Sequence, residues 1–414
     1  MGARGNGEDD QPGRVSGWGM LGLAWLVALN LRTGFVGIGP VLPRLIDDLG
    51  LSSAQASVLV AVPTAMMGLA AVPGGRFADR RGAAPVITLG LTFVALGGAL
   101  RAVASTFPPL LGLTIVFGAG LGIVQSALPR LVREWFAANV GSATGVYASG
   151  FVSGAFLSAS LTGPVLLPLF AAGAWRPPLL VWGALALVTL LAWLAAARRW
   201  RPASDEAGRR ILAREQSAPG PVRWSPWHDR RAWHVAALFA SQGVAYYLAV
   251  AWLPAAYEDL GLGPGQAGAL FAAFNAATLP AILVAPALSD RIKARRPPLV
   301  GASLVFGAGA LGLTYAPLAD GWRWLWAALA GAGVAAVFAL TLVLPTDVAP
   351  AGRTGSAAGM VLGVGYAGSA LGPVVGGAVR DATGSFADAM TVLPAVGLVM
   401  VALSLGAPEL PRRP

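Results

Sequence analysis

Residues Trp18 to Pro43 read WGMLGLAWLVALNLRTGFVGIGPVLP. This run is apolar and long enough to cross a bilayer, which takes about 20 residues at about 1.5 Å each. Near its middle stands Arg32, with Asn30 and Thr33 beside it. A guanidinium at the bilayer centre costs about 2.5–3.5 kcal/mol on insertion scales, and it cannot escape by losing its proton. Arg32 is therefore expected to face a wet cavity lined by protein. The alternative is an arginine bonded only to helix carbonyls, with no ligand.

Outward from this run, the whole chain has the composition of a membrane protein. Of 414 residues, 56% are hydrophobic and 12% charged, and the mean hydropathy is +0.66. That is too apolar for a soluble chain of this length. The 55 glycines and 31 prolines suit packed, hinged membrane helices. There is no cysteine, which excludes disulfides, thiolate metal sites and a Cys nucleophile. With only His228 and His234 to offer, no metal or other cofactor is expected. A net charge of +10 would point to nucleic acid in a soluble protein. In this chain topology accounts for it, and no nucleic-acid partner is expected.

Apolar runs recur with short polar breaks. Twelve spans are expected: 18–43, 54–75, 83–105, 108–131, 141–168, 178–197, 232–255, 266–288, 298–317, 322–345, 355–379 and 386–406. The division that follows is a disordered tail (1–17), a six-helix bundle (18–197), an Arg-rich linker (198–231), a second six-helix bundle (232–406) and a short tail (407–414). If the N-terminus is cytoplasmic, 23 of the 29 lysines and arginines lie inside and 5 outside, the latter including Arg44 and Arg101, with Arg32 in the membrane. That bias sets both termini and the linker in the cytoplasm of a plasma-membrane protein.

The chain also repeats itself. Residues 42–80 align with 253–291 at a constant offset of 211, with 14 of 39 positions identical. LP, DLGL, the Gln55/Gln266 pair and Asp79-Arg80/Asp290-Arg291 all fall in register. Further on, GAG at 118–120 recurs at 331–333, and GSATG at 141–145 as GSAAG at 355–359. Two halves repeated in parallel imply an all-α membrane fold with a pseudo-two-fold axis along the membrane normal.

The break between the second and third spans, GGRFADRRG (74–82), sets a carboxylate beside two arginines between two glycine-flanked helices. It resembles the loop signature of the major facilitator superfamily at Gly75, Asp79, Arg80 and Gly82, although the basic pair that often follows is replaced by Ala83 and Ala84. SDRIKARR (289–296) is its degenerate copy, with Asp290 and Arg291. Within that superfamily LNLRTGFVGIGPVLPRL (29–45), QSALPRLVREWF (125–136), SQGVAYYLAVAWLPAAYEDLGL (241–262) and APALSDR (285–291) resemble the cyanate permease and 2-nitroimidazole transporter family. VQSALP departs from the family's Asn before LLP, and the basic linker is unusually long. The resemblance implies a transporter working by alternating access, with the two loop motifs taking part in conformational gating.

Polar residues near mid-membrane are few: Asn30, Arg32 and Thr33, Thr64 and its repeat partner Asn275, Gln125, Tyr147, Gln242, Tyr246, Tyr247, Thr341 and Tyr366. Arg32 aligns with Gly243, so the charge belongs to one half alone. The expected binding set is Arg32, Asn30, Gln125, Tyr147, Gln242, Tyr246 and Asn275, suited to a small anion or a small polar organic solute with strong acceptors. No Asp or Glu falls well inside a span, so the anion itself is the expected counter-ion of Arg32. Facilitative uniport, exchange for a counter-anion, and co-movement of a proton carried on the solute all stay open. Efflux of larger apolar compounds is the second reading, and a membrane sensor the third. An enzyme is not expected, because no phosphate-binding loop, metal cluster or nucleophile–base pair is present.

Overall fold

The computed structural model describes residues 17–136, 140–170, 174–199, 224–317, 321–350 and 354–408. Residues 1–16 of the expected tail, 200–223 of the linker and 409–414 lie outside the described residues. Among the described residues every regular element is helical. Twelve helical spans are long and apolar enough to cross a membrane: Trp18–Leu49, Ser53–Gly75, Ala83–Val103, Phe107–Val132, Val146–Leu169, Arg176–Ala197, Arg230–Asp259, Pro264–Arg291, Arg296–Tyr315, Trp322–Pro345, Ala357–Thr383 and Phe386–Leu405. Their outer faces are apolar, with Leu283 and Leu398 71% and 74% exposed. Such surfaces are stable against lipid, where every backbone group must also be satisfied within its own helix.

The first span departs most from its expected end. Helix does not stop at Pro43. The Gly37-Ile38-Gly39-Pro40 run turns it through a short 3-10 segment, Gly39–Val41, and Leu42–Leu49 then continues as helix. Pro40 has no N–H to extend the helix before it, yet its fixed φ starts the next turn well. This kink brings Gly39 against the Val250 carbonyl of the seventh span, where a side chain would collide.

The first and seventh spans are related by the repeat, and they sit at the centre. In their most apolar windows 72% and 78% of residues are buried, against 28% for the twelfth. Spans one to six pack mainly on each other, as do seven to twelve. The two groups also meet where the second span packs on the eleventh and the fifth on the eighth. A two-fold axis exchanges these two contacts. At the fifth span, Thr162–Leu166 opens into a π turn around Pro164, and Gly163 there lies directly on Gly268 of the eighth.

One end of the bundle carries the first and last described residues, Gly17 and Pro408, and the other is closed by polar contacts between the halves. Ser53 and Ala54, in the first turn of the second span, donate their backbone N–H groups to the Asp381 carboxylate of the eleventh span at 3.1 and 2.9 Å. Ser52 and Gln55 cap the same turn in a reciprocal box. In the repeat Gly263 replaces Ser52, and the eighth span begins without a side-chain cap. Arg44 forms a second link, reaching Glu258 at 3.0 Å. Both links are charge-assisted and partly exposed, Arg44 meeting Glu258 in a two-bond fork, so each contributes on the order of 1 kcal/mol.

The Asp381 contact can be checked with a thiol, because the native chain has none. Ser57 lies one turn inside this closure and is fully buried. A cysteine at Ser57 should react with a small thiol reagent about tenfold faster once Asp381→Asn is added. An unchanged rate would show that the carboxylate does not hold this end shut.

Candidate functional site: a cavity with one guanidinium between the halves

Between the halves, beside the middle of the first and seventh spans, lies a cavity open to solvent. The first half contributes Arg32 and, from the fifth span, Phe151. The second half contributes Gln242, Gly243, Tyr246 and Tyr247 from the seventh span, with Phe338 and Tyr366 beyond them. The helical spacing of the seventh span explains this grouping: Gln242, Gly243, Tyr246 and Tyr247 follow an i, i+1, i+4, i+5 pattern and form one stripe. Gly243, the counterpart of Arg32, lines the same cavity, and a side chain there would collide with Ser369.

Arg32 Nη1 donates to the Tyr247 hydroxyl at 3.3 Å, which joins the first span to the seventh. The guanidinium also lies 5.8 Å from the Phe151 ring centre. Among the described residues no carboxylate pairs with it. Gln125 of the fourth span donates to the Tyr366 hydroxyl at 3.0 Å, a second link between the halves. Tyr246 donates to Asn275 Oδ1 at 3.3 Å, and Asn275 in turn donates to the Phe271 carbonyl. Tyr247 was among the mid-membrane residues but not in the expected binding set, yet it is the side chain that bonds Arg32.

The expected set is thus only partly brought together. Arg32, Gln242 and Tyr246 line the cavity. Gln125 and Asn275 stand behind its tyrosines. Tyr147 packs edge-on against Phe151, with ring centres 6.0 Å apart. Asn30 is a correction: it turns away, donating to Thr189 at 2.7 Å and to the Leu26 carbonyl inside the first half. Positions two apart on a helix point in nearly opposite directions, so Asn30 and Arg32 cannot share a cavity. Thr64 and Thr341 bond back to carbonyls of their own helices.

Arg101, expected outside the membrane, is a second buried cation. Only 2% exposed, it donates to the Gly34 carbonyl at 3.2 Å and lies 4.0 Å over the Phe117 ring. Arg32 is therefore not alone in the membrane, but it is the arginine that faces the cavity.

At the end with Gly17 and Pro408, each half carries a charge cluster. In the first half Gly82 has a φ of 83°, a left-handed value that suits glycine. The turn lets Ala83 donate its N–H to Glu134 at 3.2 Å, and Glu134 also pairs with Arg130. The side chains of Asp79 and Arg80 lie outside the described residues. Gly75 has no neighbour that a side chain would meet; the close helix contact falls instead at Gly74, against Ser126 and Ile123. In the second half Asp290 pairs with Arg295 at 2.6 Å, and Arg295 also holds Asp347 at 3.0 Å. Arg291, expected beside Asp290, is exposed. Glu134 and Asp347 are offset by 213, as the GAG repeat is, so register alone links them. Neither was in the expected set.

Known proteins give the same architecture. The sequence model of the Major Facilitator Superfamily matches residues 24–408. The cyanate transport protein CynX of Escherichia coli is 28% identical over 95% of this chain and 98% of its own. The 2-nitroimidazole transporter of Escherichia coli is 26% identical over 92% and 93%. The uncharacterized transporter YycB of Bacillus subtilis is 27% identical over 94% and 93%. Among solved structures, the inward-open xylose transporter XylE of E. coli aligns with a TM-score of 0.78 over 96% of this chain and 98% of its own, at 14% identity. With twelve membrane helices, a parallel repeat and a cavity between the halves, the chain is a multi-pass membrane protein and belongs to the Major Facilitator Superfamily.

Proposed function

We propose that this protein is a secondary transporter that carries a small anion, or a small polar solute with an anion-like edge, by alternating access, with Arg32 as its anchor. The observation that carries this reading is a half-buried guanidinium, facing a cavity between the halves, whose described partners are a hydroxyl and a ring rather than a carboxylate. A cation facing a polar cavity is stabilised by an anion that pairs with it. A solute anion supplies that pair while bound and removes it on leaving. CynX and the 2-nitroimidazole transporter are named for small solutes with strong acceptors, which agrees with this reading. A carrier of larger apolar compounds would have no use for an arginine held at mid-cavity.

In this reading the termini are cytoplasmic, and the closure at Asp381 and Glu258 shuts the outer side. The clusters around Asp79, Arg80, Gly82 and Glu134, and around Asp290, Arg295 and Asp347, act on the inner side, where the opposite state needs its own closure. Each state then has a polar lock of a few kcal/mol, enough to shift a two-state balance without fixing it.

Orientation is checked by single cysteines in intact cells. A cysteine at Ser217 should resist an impermeant thiol reagent and one at Gly263 should react; the reverse pattern overturns the topology. The anchor is checked by measuring solute affinity beside thermal stability. Arg32→Lys keeps the charge but loses the planar fork, and should weaken anion binding about tenfold. Arg32→Gln should abolish binding while the protein still inserts, since a costly charge is gone. Unchanged affinity with lowered stability would make Arg32 a structural link, and the anion reading would fall.

A further inference from the structure

The cavity's polar groups are not equivalent. Tyr246 spends its proton on Asn275, and Thr278 donates to the Asn275 carbonyl at 2.6 Å. Tyr247 and Tyr366 differ, because each accepts a hydrogen bond from the first half, from Arg32 and from Gln125. A hydroxyl that accepts in this way keeps its own proton to donate. The groups left to meet a solute are therefore the Arg32 fork, two phenol protons and the Gln242 amide, so donors outnumber acceptors. They suit one acceptor-rich edge bearing one negative charge.

The rest of the lining is mainly apolar, with the Phe151 and Phe338 rings set among aliphatic side chains such as Val152 of the first half and Ile282 and Val334 of the second. A small hard anion would give up water against these walls and gain one cation in return. A dicarboxylate would bring a second charge with no second cation lining the cavity.

Resting on the reading of Arg32 as an anion anchor, we propose that the solute is a planar aromatic mono-anion of the aryl carboxylate type. Its carboxylate sits on Arg32 with Tyr247 and Tyr366 donating to it, and its ring packs against the wall that Phe151 and Phe338 supply. Both halves then contact both parts of the solute: Arg32 with Tyr247 and Tyr366 at the charge, and Phe151 with Phe338 at the ring. A solute that satisfies both bridges the halves.

The test is calorimetric binding to the purified full chain, with benzoate, benzamide, cyclohexanecarboxylate and nitrate as probes. Benzoate should bind about ten- to a hundredfold more tightly than benzamide, which has the ring without the charge. It should bind about two- to tenfold more tightly than cyclohexanecarboxylate, which has the charge without the flat ring. Phe338→Leu should erase that second preference and leave the first, with melting temperature recorded to confirm folding. Equal binding of benzoate and cyclohexanecarboxylate overturns the aromatic class. Arg32-dependent binding of nitrate, with benzoate no tighter, overturns it too, while the anion reading stands. Benzamide binding as tightly as benzoate, with Arg32→Gln silent, overturns both.

Discussion

A guanidinium that cannot be neutralised, set in the middle of the first span, constrains everything around it. It has to be kept from lipid, so its span lies at the centre of the bundle, and the repeat places the seventh span there as well. It has to be hydrogen-bonded, and the bond it makes crosses to the other half at Tyr247. Arg101 meets the same demand differently. It closes on a backbone carbonyl and a phenyl face within one half, with its Nε left unpaired, and packed helix separates it from the cavity. Two arginines at similar depth thus have different fates, decided by whether the side chain faces packed helix or open cavity.

The repeat builds a symmetric scaffold and then departs from symmetry at positions that matter. Arg32 has Gly243 as its counterpart, so the cavity has a charged side and an aromatic side. The second and eleventh spans meet through a carboxylate on helix N–H groups, whereas the related contact of the fifth and eighth is a glycine-on-glycine approach. The charged contact is short-ranged and breaks when the spans separate. The glycine contact is a smooth packed surface along which helices can roll.

Most of the architecture was legible in the sequence because hydropathy and a gapless repeat leave few alternatives. Twelve spans, the parallel halves and the central arginine all follow from patterns spread over many residues. Side-chain direction was less legible. Asn30 was grouped with Arg32 by proximity, although a separation of two turns it to the other face. Arg101 stands at a span end, where a long side chain can reach outward or inward, and only the packing around Phe117 decides. Glu134 and Asp347 carried a usable signal, their common offset with the GAG repeat, but a change of residue type hid it. Gly74 and Gly75 show the limit of a motif: the sequence marks a glycine pair, and the helix phase selects which one meets a neighbour.

The central claim is that the solute completes the charge of Arg32 and is carried with it from one side to the other. Counterflow in proteoliposomes tests this most directly, with a labelled anion that the wild-type protein binds outside and the unlabelled anion within. The wild type should accumulate label transiently, and Arg32→Gln, reconstituted in equal amount, should accumulate none. Counterflow by Arg32→Gln at the wild-type rate would contradict the claim.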